Sequence, residues 1–411
     1  MPAADGFRGL AIVSVMLYHI SYGSGRPPLH SGVLQDLSVA GYIMPDFFFV
    51  ISGFLLFLPV VLSGTFGSVR TYAIRRAARI LPAYYLAIVA TGLVDKAIVT
   101  NPLRDYPLWH PLGLLSLFLH LTFLQHSVGL ALKLSEGFNV NGAIWTLSIE
   151  AVFYVLLPIV AVRYARHPFL GLAGALVLAA LWRHASLHLQ IPLPHLAGLT
   201  SKTFDRGFLV TQFPTYAADF AAGMTAAWVF VKLRRASFTI PVWVIVPVQC
   251  IAGALILRGM IAGAAADIAG TSNPYAHWTT TTLPMLCFTV LLLATAMAPL
   301  WAQVLVRNKL SRKIGDISYG MYLWHLLFVG FALTTLHWAP NATNGDWLRM
   351  AVFTFTGAIL CGAASYHWIE RPFIRWAKRR SAAVPQGGAG GLRPTGGIET
   401  RGAETAPVSS G

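Results

Sequence analysis

The chain alternates long apolar runs with short polar segments, and this pattern predicts a series of membrane-spanning helices. A helix needs about 20 mostly apolar residues to cross the hydrocarbon core of a bilayer. Ten stretches are close to this length: 8–22, 41–63, 80–98, 143–161, 168–185, 208–231, 238–257, 281–301, 316–336 and 349–369. We therefore expect an all-α, polytopic membrane protein in which about ten transmembrane helices form one bundle.

A further apolar stretch, 112–128, is short for a span and contains two histidines. The distribution of cations indicates how it lies, because Lys and Arg accumulate in cytoplasmic loops. If 112–128 does not cross, the basic clusters at 70–79, 232–235 and 307–313 fall on the same side of the membrane. A crossing would move the later clusters outside. The sequence thus predicts ten spans, with both termini cytoplasmic and 112–128 re-entrant or interfacial.

Composition agrees with this architecture. Hydrophobic residues make up 56% of the 411 positions and charged residues only 11%, which is too little charged surface for a soluble protein of this size. The net charge of +15 does not indicate nucleic acid binding, because the cations lie in short clusters between apolar runs, as in loops that contact anionic lipid. We expect one membrane domain over 1–376 and a disordered, Gly- and Pro-rich cytoplasmic tail over 377–411.

Arg8 and His19 share the first predicted span, in the segment RGLAIVSVMLYH. Their spacing corresponds to about 16 Å of helical rise and nearly three turns, so both side chains point in a similar direction. Ionisable groups inside a membrane are costly and by default mark a functional site. The structural alternative is a snorkelling arginine and a histidine bonded to a neighbouring helix. The depth of His19 favours function.

Two acids lie at about the same predicted depth as His19. Asp46 opens the second span (MPDFFFVISGFLLF), and Glu150 lies about two turns into the fourth (IWTLSIEAVFYVLLP). A carboxylate bonded to one nitrogen of a histidine fixes its tautomer and raises the basicity of the other nitrogen. We expect one of the two acids to orient or charge His19, and the sequence leaves the choice open. Gly53, in the second span, is expected to allow close helix packing.

An arginine-rich segment, RTYAIRRAARILPAYY, precedes the third span. Arg75 and Arg79 are spaced i, i+4 and Arg76 and Arg79 i, i+3, so a helix presents them together. Arginines at this place also serve as an ordinary topology signal. However, every cation in the segment is Arg, which binds phosphate in bidentate fashion. A phosphate-bearing cytoplasmic ligand is the functional hypothesis.

Other polar residues lie near the outer ends of the predicted spans. Trp145 precedes Glu150 by five residues, and Tyr319, Tyr322 and His325 follow one another at i, i+3 and i+6 in the ninth span. A purely structural stripe does not need a histidine at this position. We therefore regard Trp145, Tyr322 and His325 as further candidates for the site.

Taken together, these segments resemble the acyltransferase-3 family of integral membrane O-acyltransferases. The matching segments occur in the family's order between positions 5 and 373: DGFRG with R-x10-H, DFFFVISGFLL, RRAARILPAYY, WTLSIEAVFY, SYGMYLWH and IERPF. The resemblance implies ten helices, acyl-CoA (usually acetyl-CoA) as donor, and O-acylation of a hydroxyl, commonly on a sugar. Glycan-modifying relatives often add an eleventh helix and an extracytoplasmic hydrolase-like domain. We expect neither here, so the chain would resemble the stand-alone branch, which leaves the acceptor more open.

The resemblance also implies which positions are essential. These are Arg8 with His19 and the pair Arg76 and Arg79, with Arg75 beside them. A bacterial inner or plasma membrane is the expected location. No permanently bound cofactor, metal or nucleic acid is expected.

These expectations combine into one mechanism. The phosphates of acyl-CoA would lie near Arg8 and the arginines at 75–79, and His19 would act as general base on the acceptor hydroxyl. The acceptor, a carbohydrate or glycolipid, would enter from the outer side near Trp145, Glu150, His325 and the 99–142 segment. A secreted metabolite such as a macrolide is an alternative acceptor. A proton-coupled transporter or flippase is the rival class; it would explain the buried acids and histidines but not the arginine cluster.

Overall fold

The computed structural model describes residues 1–23, 38–97, 111–132, 142–188, 209–268, 278–338 and 343–382. Throughout these ranges the regular structure is helical, with no strand. The prediction of an all-α protein is confirmed for this part of the chain. We number the helices along the chain as α1 Pro2–Gly23, α2 Met44–Ser63, α3 Val69–Ala97, α4 Pro111–Leu121, α5 Gln125–Leu132, α6 Trp145–Arg166, α7 Pro168–His188, α8 Phe213–Arg235, α9 Val242–Ile268, α10 Leu283–Met297, α11 Val304–Arg307, α12 Lys309–Thr334, α13 Asn344–Ser365 and α14 Arg371–Ala382.

Several helices begin or end in tighter or wider turns. Short 3-10 turns precede α2, α6 and α11, at Ala40–Ile43, Gly142–Ile144 and Leu300–Gln303. Single π-helical turns precede α10 at Trp278–Thr282 and join α13 to α14 at Tyr366–Glu370. Such π turns are frequent at functional sites.

Seven helices among the described residues are long and apolar enough to cross a membrane: 40–63, 142–166, 168–188, 242–265, 280–297, 309–334 and 344–381. The other three predicted spans correspond to α1, α3 and α8, which have 22, 29 and 23 residues. These three have the length of a span but are less apolar than the seven, and their charged residues include Arg8, the arginines of α3 and the basic end of α8. A ten-span topology with both termini cytoplasmic therefore stays a prediction.

The stretch 112–128 forms parts of two short helices, α4 and α5, which are separated by a turn at 122–124. Phe123 in this turn has a positive φ of 61°. With 11 and 8 residues, α4 and α5 are about half the length of a span or less. The hydroxyls of Tyr84 and Tyr85 on α3 donate to the main-chain oxygens of His120 and Leu121. These two hydrogen bonds hold the end of α4 against the bundle. This geometry agrees with a segment that does not cross.

The predicted boundary between the membrane domain and the tail needs a correction. Helix α14, which packs with α3, continues through Ala382, so 377–382 is helical and does not belong to a disordered tail. Its basic residues and two half-exposed aromatics, Phe373 and Trp376, give the helix an amphipathic character. The predicted tail boundary rested on Gly and Pro content and did not take this amphipathic pattern into account. The rest of the predicted tail lies outside the described residues.

Close glycine contacts hold the centre of the bundle together. A Cβ on Gly53 of α2 would collide with the main chain of Phe220 on α8, and a Cβ on Gly223 of α8 would collide with the main chain of Val50 on α2. The two helices therefore approach through a reciprocal glycine contact, and the predicted packing role of Gly53 is confirmed. A similar contact joins α1 to α12, where a Cβ on Gly315 would meet the main chain of Asp5.

We expect Gly53→Val to destabilise the bundle strongly. Overpacking a well-packed core costs typically 1–3 kcal/mol or more, and here the obstacle is main chain that cannot rotate away. The variant should show a lower yield of monodisperse protein and a lower inactivation temperature in detergent. Gly174→Val on α7 is the control, because a Cβ there meets nothing within 4 Å. Equal stability of the two variants would contradict the packing role.

Candidate active site

A cavity of about 220 Å³ lies between α1, α2, α3, α6 and α12. Its wall combines cations with hydroxyls, one carboxylate and apolar side chains. The lining comprises Arg8, Pro45, Phe48, Phe49, Ser52, Leu55, Leu56, Arg76, Arg79, Ile80, Thr146, Leu147, Glu150, Tyr154, Ser318, Tyr319 and Tyr322. Residues from five of the six motifs found in the sequence thus surround one space. Its size and mixed lining suit part of a ligand that has both a charged and an apolar portion.

Three arginines form the charged part of this cavity. Arg76 and Arg79 lie on the same face of α3, one turn apart, and Arg8 joins them from α1. Arg8 is electrostatically coupled to Arg79, Asp5 and Glu150, and its guanidinium lies 3.8 Å from the Asp5 carboxylate. Within the part of the chain that the structure describes, the Nε of Arg76 is buried and has no hydrogen-bond partner. This part of the cavity can therefore bind an anion.

Arg75 does not share this environment. Its side chain is exposed and is absent from the cavity lining, because one residue of helix rotates it about 100° away from Arg76. Of the three arginines predicted for the cluster on α3, the structure thus brings two into the cavity.

Glu150 lies among these arginines. The hydroxyl of Ser52 donates to its carboxylate at 2.5 Å, and Tyr154 on the next turn of α6 also hydrogen-bonds to it. The carboxylate partly balances the three guanidinium groups and orders the cavity wall. It does not contact His19. The structure therefore does not pair Glu150 with His19.

His19 pairs instead with His325 of α12. The Nδ1 of His19 lies 3.0 Å from the Val15 main-chain oxygen and 3.1 Å from Nε2 of His325. The Nδ1 of His325 lies 2.7 Å from the Tyr322 main-chain oxygen. His325 is completely buried, whereas His19 is only partly buried. Two residues that are 306 positions apart in the chain thus form one hydrogen-bonded pair.

Asp46 belongs to a different polar cluster. It is buried at the start of α2 and interacts electrostatically with Arg183 of α7, while Asp219 of α8 interacts electrostatically with both. The guanidinium of Arg183 donates to the Thr282 hydroxyl at 3.3 Å. Asp219 and Arg183 were not among the predicted site residues, although each is an ionisable residue inside a predicted span. The structure therefore makes neither of the two predicted acid–histidine contacts.

The two remaining candidates, Tyr322 and Trp145, lie in different surroundings. Tyr322 lines the arginine cavity, and its hydroxyl hydrogen-bonds to the Thr146 hydroxyl at 2.6 Å and to the main-chain oxygen of Ala143. Trp145 lies outside the cavity and packs against the rings of His126 and Tyr216. Of the predicted acceptor segment 99–142, only 111–132 and Gly142 are among the described residues.

No three His, Cys, Asp or Glu side chains within the described ranges come together in an arrangement that could hold a metal ion. Among the described residues, the groups in and beside the cavity that can take part in chemistry include the histidine pair, the carboxylate of Glu150, the tyrosine hydroxyls and the arginines. A histidine pair beside an arginine-lined cavity in a helical, membrane-type bundle indicates the class of protein, a membrane-type enzyme.

Comparison with known proteins identifies the family within this class. The family model described as "Acyltransferase domain", that of the acyltransferase-3 family, matches residues 1–366, so the chain belongs to this family and is an acyltransferase. The resemblance found in the sequence is thereby confirmed.

Individual relatives are more distant. The chain is 27% identical to the exopolysaccharide production protein ExoZ of Rhizobium meliloti over 345 residues, which cover 82% of this chain and 90% of ExoZ. It is 25% identical to nodulation protein 10 of Rhizobium leguminosarum bv. viciae over 335 residues, covering 80% and 81% of the two chains. It is 24% identical to the peptidoglycan O-acetyltransferase OatA of Listeria monocytogenes, covering 90% of this chain but only 55% of OatA. No solved structure shows significant similarity to the chain.

Proposed function

We propose that this protein is a membrane O-acyltransferase that moves an acyl group, most simply acetyl, from cytoplasmic acyl-CoA to a hydroxyl of an extracytoplasmic carbohydrate or glycolipid. The observation that carries the proposal is the cavity in which Arg8, Arg76 and Arg79 converge. Coenzyme A has several phosphate groups, and guanidinium groups bind phosphate through paired, charge-assisted hydrogen bonds. The apolar wall formed by Phe48, Leu55 and Leu56 suits the less polar arm that connects the nucleotide to the thioester.

The reaction itself needs one proton transfer and one acyl transfer. The base removes the proton from the acceptor hydroxyl as the oxygen attacks the thioester carbonyl. The bond between carbon and sulfur then breaks, and the sulfur leaves as the thiol of coenzyme A after taking up the proton. His19 is the proposed base, and general base catalysis of this kind contributes about 10²–10⁴-fold in rate.

The donor cavity and the histidine pair are adjacent along α12. Tyr322 lines the cavity with its side chain and accepts a hydrogen bond from His325 with its main-chain oxygen. His19 itself is not part of the cavity lining. A thioester that extends from the arginines past the Tyr322 ring would arrive at the histidine pair. This arrangement supports Arg8, Arg76 and Arg79 as the donor site and His19 as the reacting end.

The relatives support a carbohydrate as the acceptor. One is a peptidoglycan O-acetyltransferase and another functions in exopolysaccharide production. Because the identities are 24% and 27%, they support the class of acceptor and not a particular sugar. A secreted metabolite as acceptor would use the same donor site and the same base.

Purified protein in detergent tests the proposal directly. We expect it to release free coenzyme A from acetyl-CoA when membranes or glycans from a deletion strain are added as the unmodified acceptor. Mass spectrometry of the same acceptor fraction should show a gain of one acetyl mass. A transporter or flippase would leave acetyl-CoA intact, since it needs a sealed compartment and performs no chemistry. Absence of coenzyme A release with every glycan and lipid fraction would overturn the proposed function.

A further inference from the structure

The hydrogen bonds around His19 and His325 determine where the protons of the two rings lie. A main-chain oxygen only accepts, so Nδ1 of His19 carries a proton toward Val15 and Nδ1 of His325 carries one toward Tyr322. A neutral His325 then has a lone pair on Nε2, which accepts from Nδ1 of His19 at 3.1 Å. The single Nδ1–H of His19 is shared between the Val15 oxygen and Nε2 of His325 as a three-centre hydrogen bond, and the Nδ1–H of His325 makes the third contact.

The other neutral combinations fail. If His19 carried its proton on Nε2, its Nδ1 lone pair would face the Val15 oxygen at 3.0 Å, and two electron-rich atoms would repel each other. If His325 carried its proton on Nε2, the Nδ1 lone pair would face the Tyr322 oxygen at 2.7 Å. The hydrogen bonds thus select one neutral tautomer of each ring. Histidine protons are normally assigned from the hydrogen-bond network in this way.

We propose that His325 is a positioning residue that holds His19 in the Nδ1–H tautomer and leaves its Nε2 lone pair free to take the proton of the acceptor hydroxyl. The proposal deepens the proposed function and rests on it. Among the described residues, Nε2 of His19 has no hydrogen-bond partner. In this arrangement His325 orients His19, the role that was predicted for Asp46 or Glu150.

A neutral imidazole suits this task inside the bundle. His325 is fully buried, and burying a carboxylate there would cost much more than burying a neutral ring, because an ionised group loses its hydration. When His19 takes up a proton at Nε2, its Nδ1–H remains in place and the bond to His325 becomes charge-assisted. The orientation of the base is therefore the same before and after proton transfer.

Two amide substitutions distinguish positioning from packing. The amide of Gln at 325 reaches the place of Nε2 and can accept from His19, whereas the amide of Asn reaches only the place of Nδ1. We expect His325→Gln to keep most of the kcat for acetyl transfer and His325→Asn to lose about 10- to 100-fold, with the KM for acetyl-CoA unchanged in both. Equal kcat values for two folded variants, or a loss confined to KM, would overturn the positioning role.

The tautomer itself can be measured without any activity assay. Nitrogen-15 and carbon-13 NMR of histidine-labelled protein in lipid, with the His19 signals assigned by difference from His19→Ala, should show His19 protonated at Nδ1. The His325→Asn variant should show a mixture of tautomers. Protonation at Nε2 in the wild type would overturn the inference even if His19 is essential. Conversely, full activity of His19→Ala would overturn the proposed role of His19 and leave the measured tautomer intact.

Discussion

His19→Ala should nearly abolish acyl transfer while the protein remains folded and inserted in the membrane. The expected loss is about 10²–10⁴-fold in kcat, because the substitution removes the base and leaves donor binding in place. The measurement is acceptor-dependent release of coenzyme A by purified protein, together with the KM for acetyl-CoA, which should stay near the wild-type value. Size-exclusion chromatography of both proteins verifies that the bundle is intact.

His167→Ala is the matched control for this variant. His167 is exposed between α6 and α7 and has no place in the cavity or the histidine pair. The His167→Ala variant should retain full activity, which would show that loss of a histidine does not by itself reduce activity. Wild-type kcat in a folded His19→Ala protein would refute the assignment of the base.

Replacing both cavity arginines of α3 should chiefly weaken donor binding. A hydrogen bond to a charged group contributes about 1.5–3 kcal/mol, so the double variant Arg76→Ala/Arg79→Ala should raise the KM for acetyl-CoA by about 10²–10⁴-fold, and Arg79→Ala alone by about 10- to 100-fold. The effect should be smaller for acetyl-pantetheine, which lacks the nucleotide phosphates. Donor titrations at saturating acceptor measure both quantities.

Arg75→Ala supplies the control within the same motif. Arg75 has the same charge as Arg76 and Arg79 and lies on the same helix, but its side chain is exposed and lies outside the cavity. Its removal should leave the donor KM unchanged. If all three arginine variants behave alike, with unchanged KM and lower membrane insertion, the cluster would serve topology and not donor binding.

The arginine motif shows how far helical periodicity alone can predict a site. The spacing of Arg76 and Arg79 places them on one face, and Arg8 lies in a motif of its own, so their types and positions already indicated an anion site. The same spacing rule also allowed Arg75 with Arg79. Which face of α3 looks into the bundle depends on the packing of α3 against its neighbours, and this excluded Arg75.

The partner of His19 is the opposite case. Depth along a predicted span made Asp46 and Glu150 equally available, because a sequence gives the height of a residue in the membrane but not its neighbour around the bundle axis. His325 was predicted only as a further candidate for the site. The rotation of α2 directs Asp46 toward Arg183 and Asp219, and that of α6 places Glu150 beside Ser52. The rotation of α12 brings His325 to His19.

The sequence by itself determined the helical class, the family and the chemical types of the groups, since these follow from local hydropathy, composition and the order of short motifs. The tertiary structure decided which groups meet. Contacts such as His19 with His325, or Gly53 with Phe220, join positions that are far apart in the chain. They depend on how whole helices rotate and pack, and no local pattern along the chain encodes that rotation.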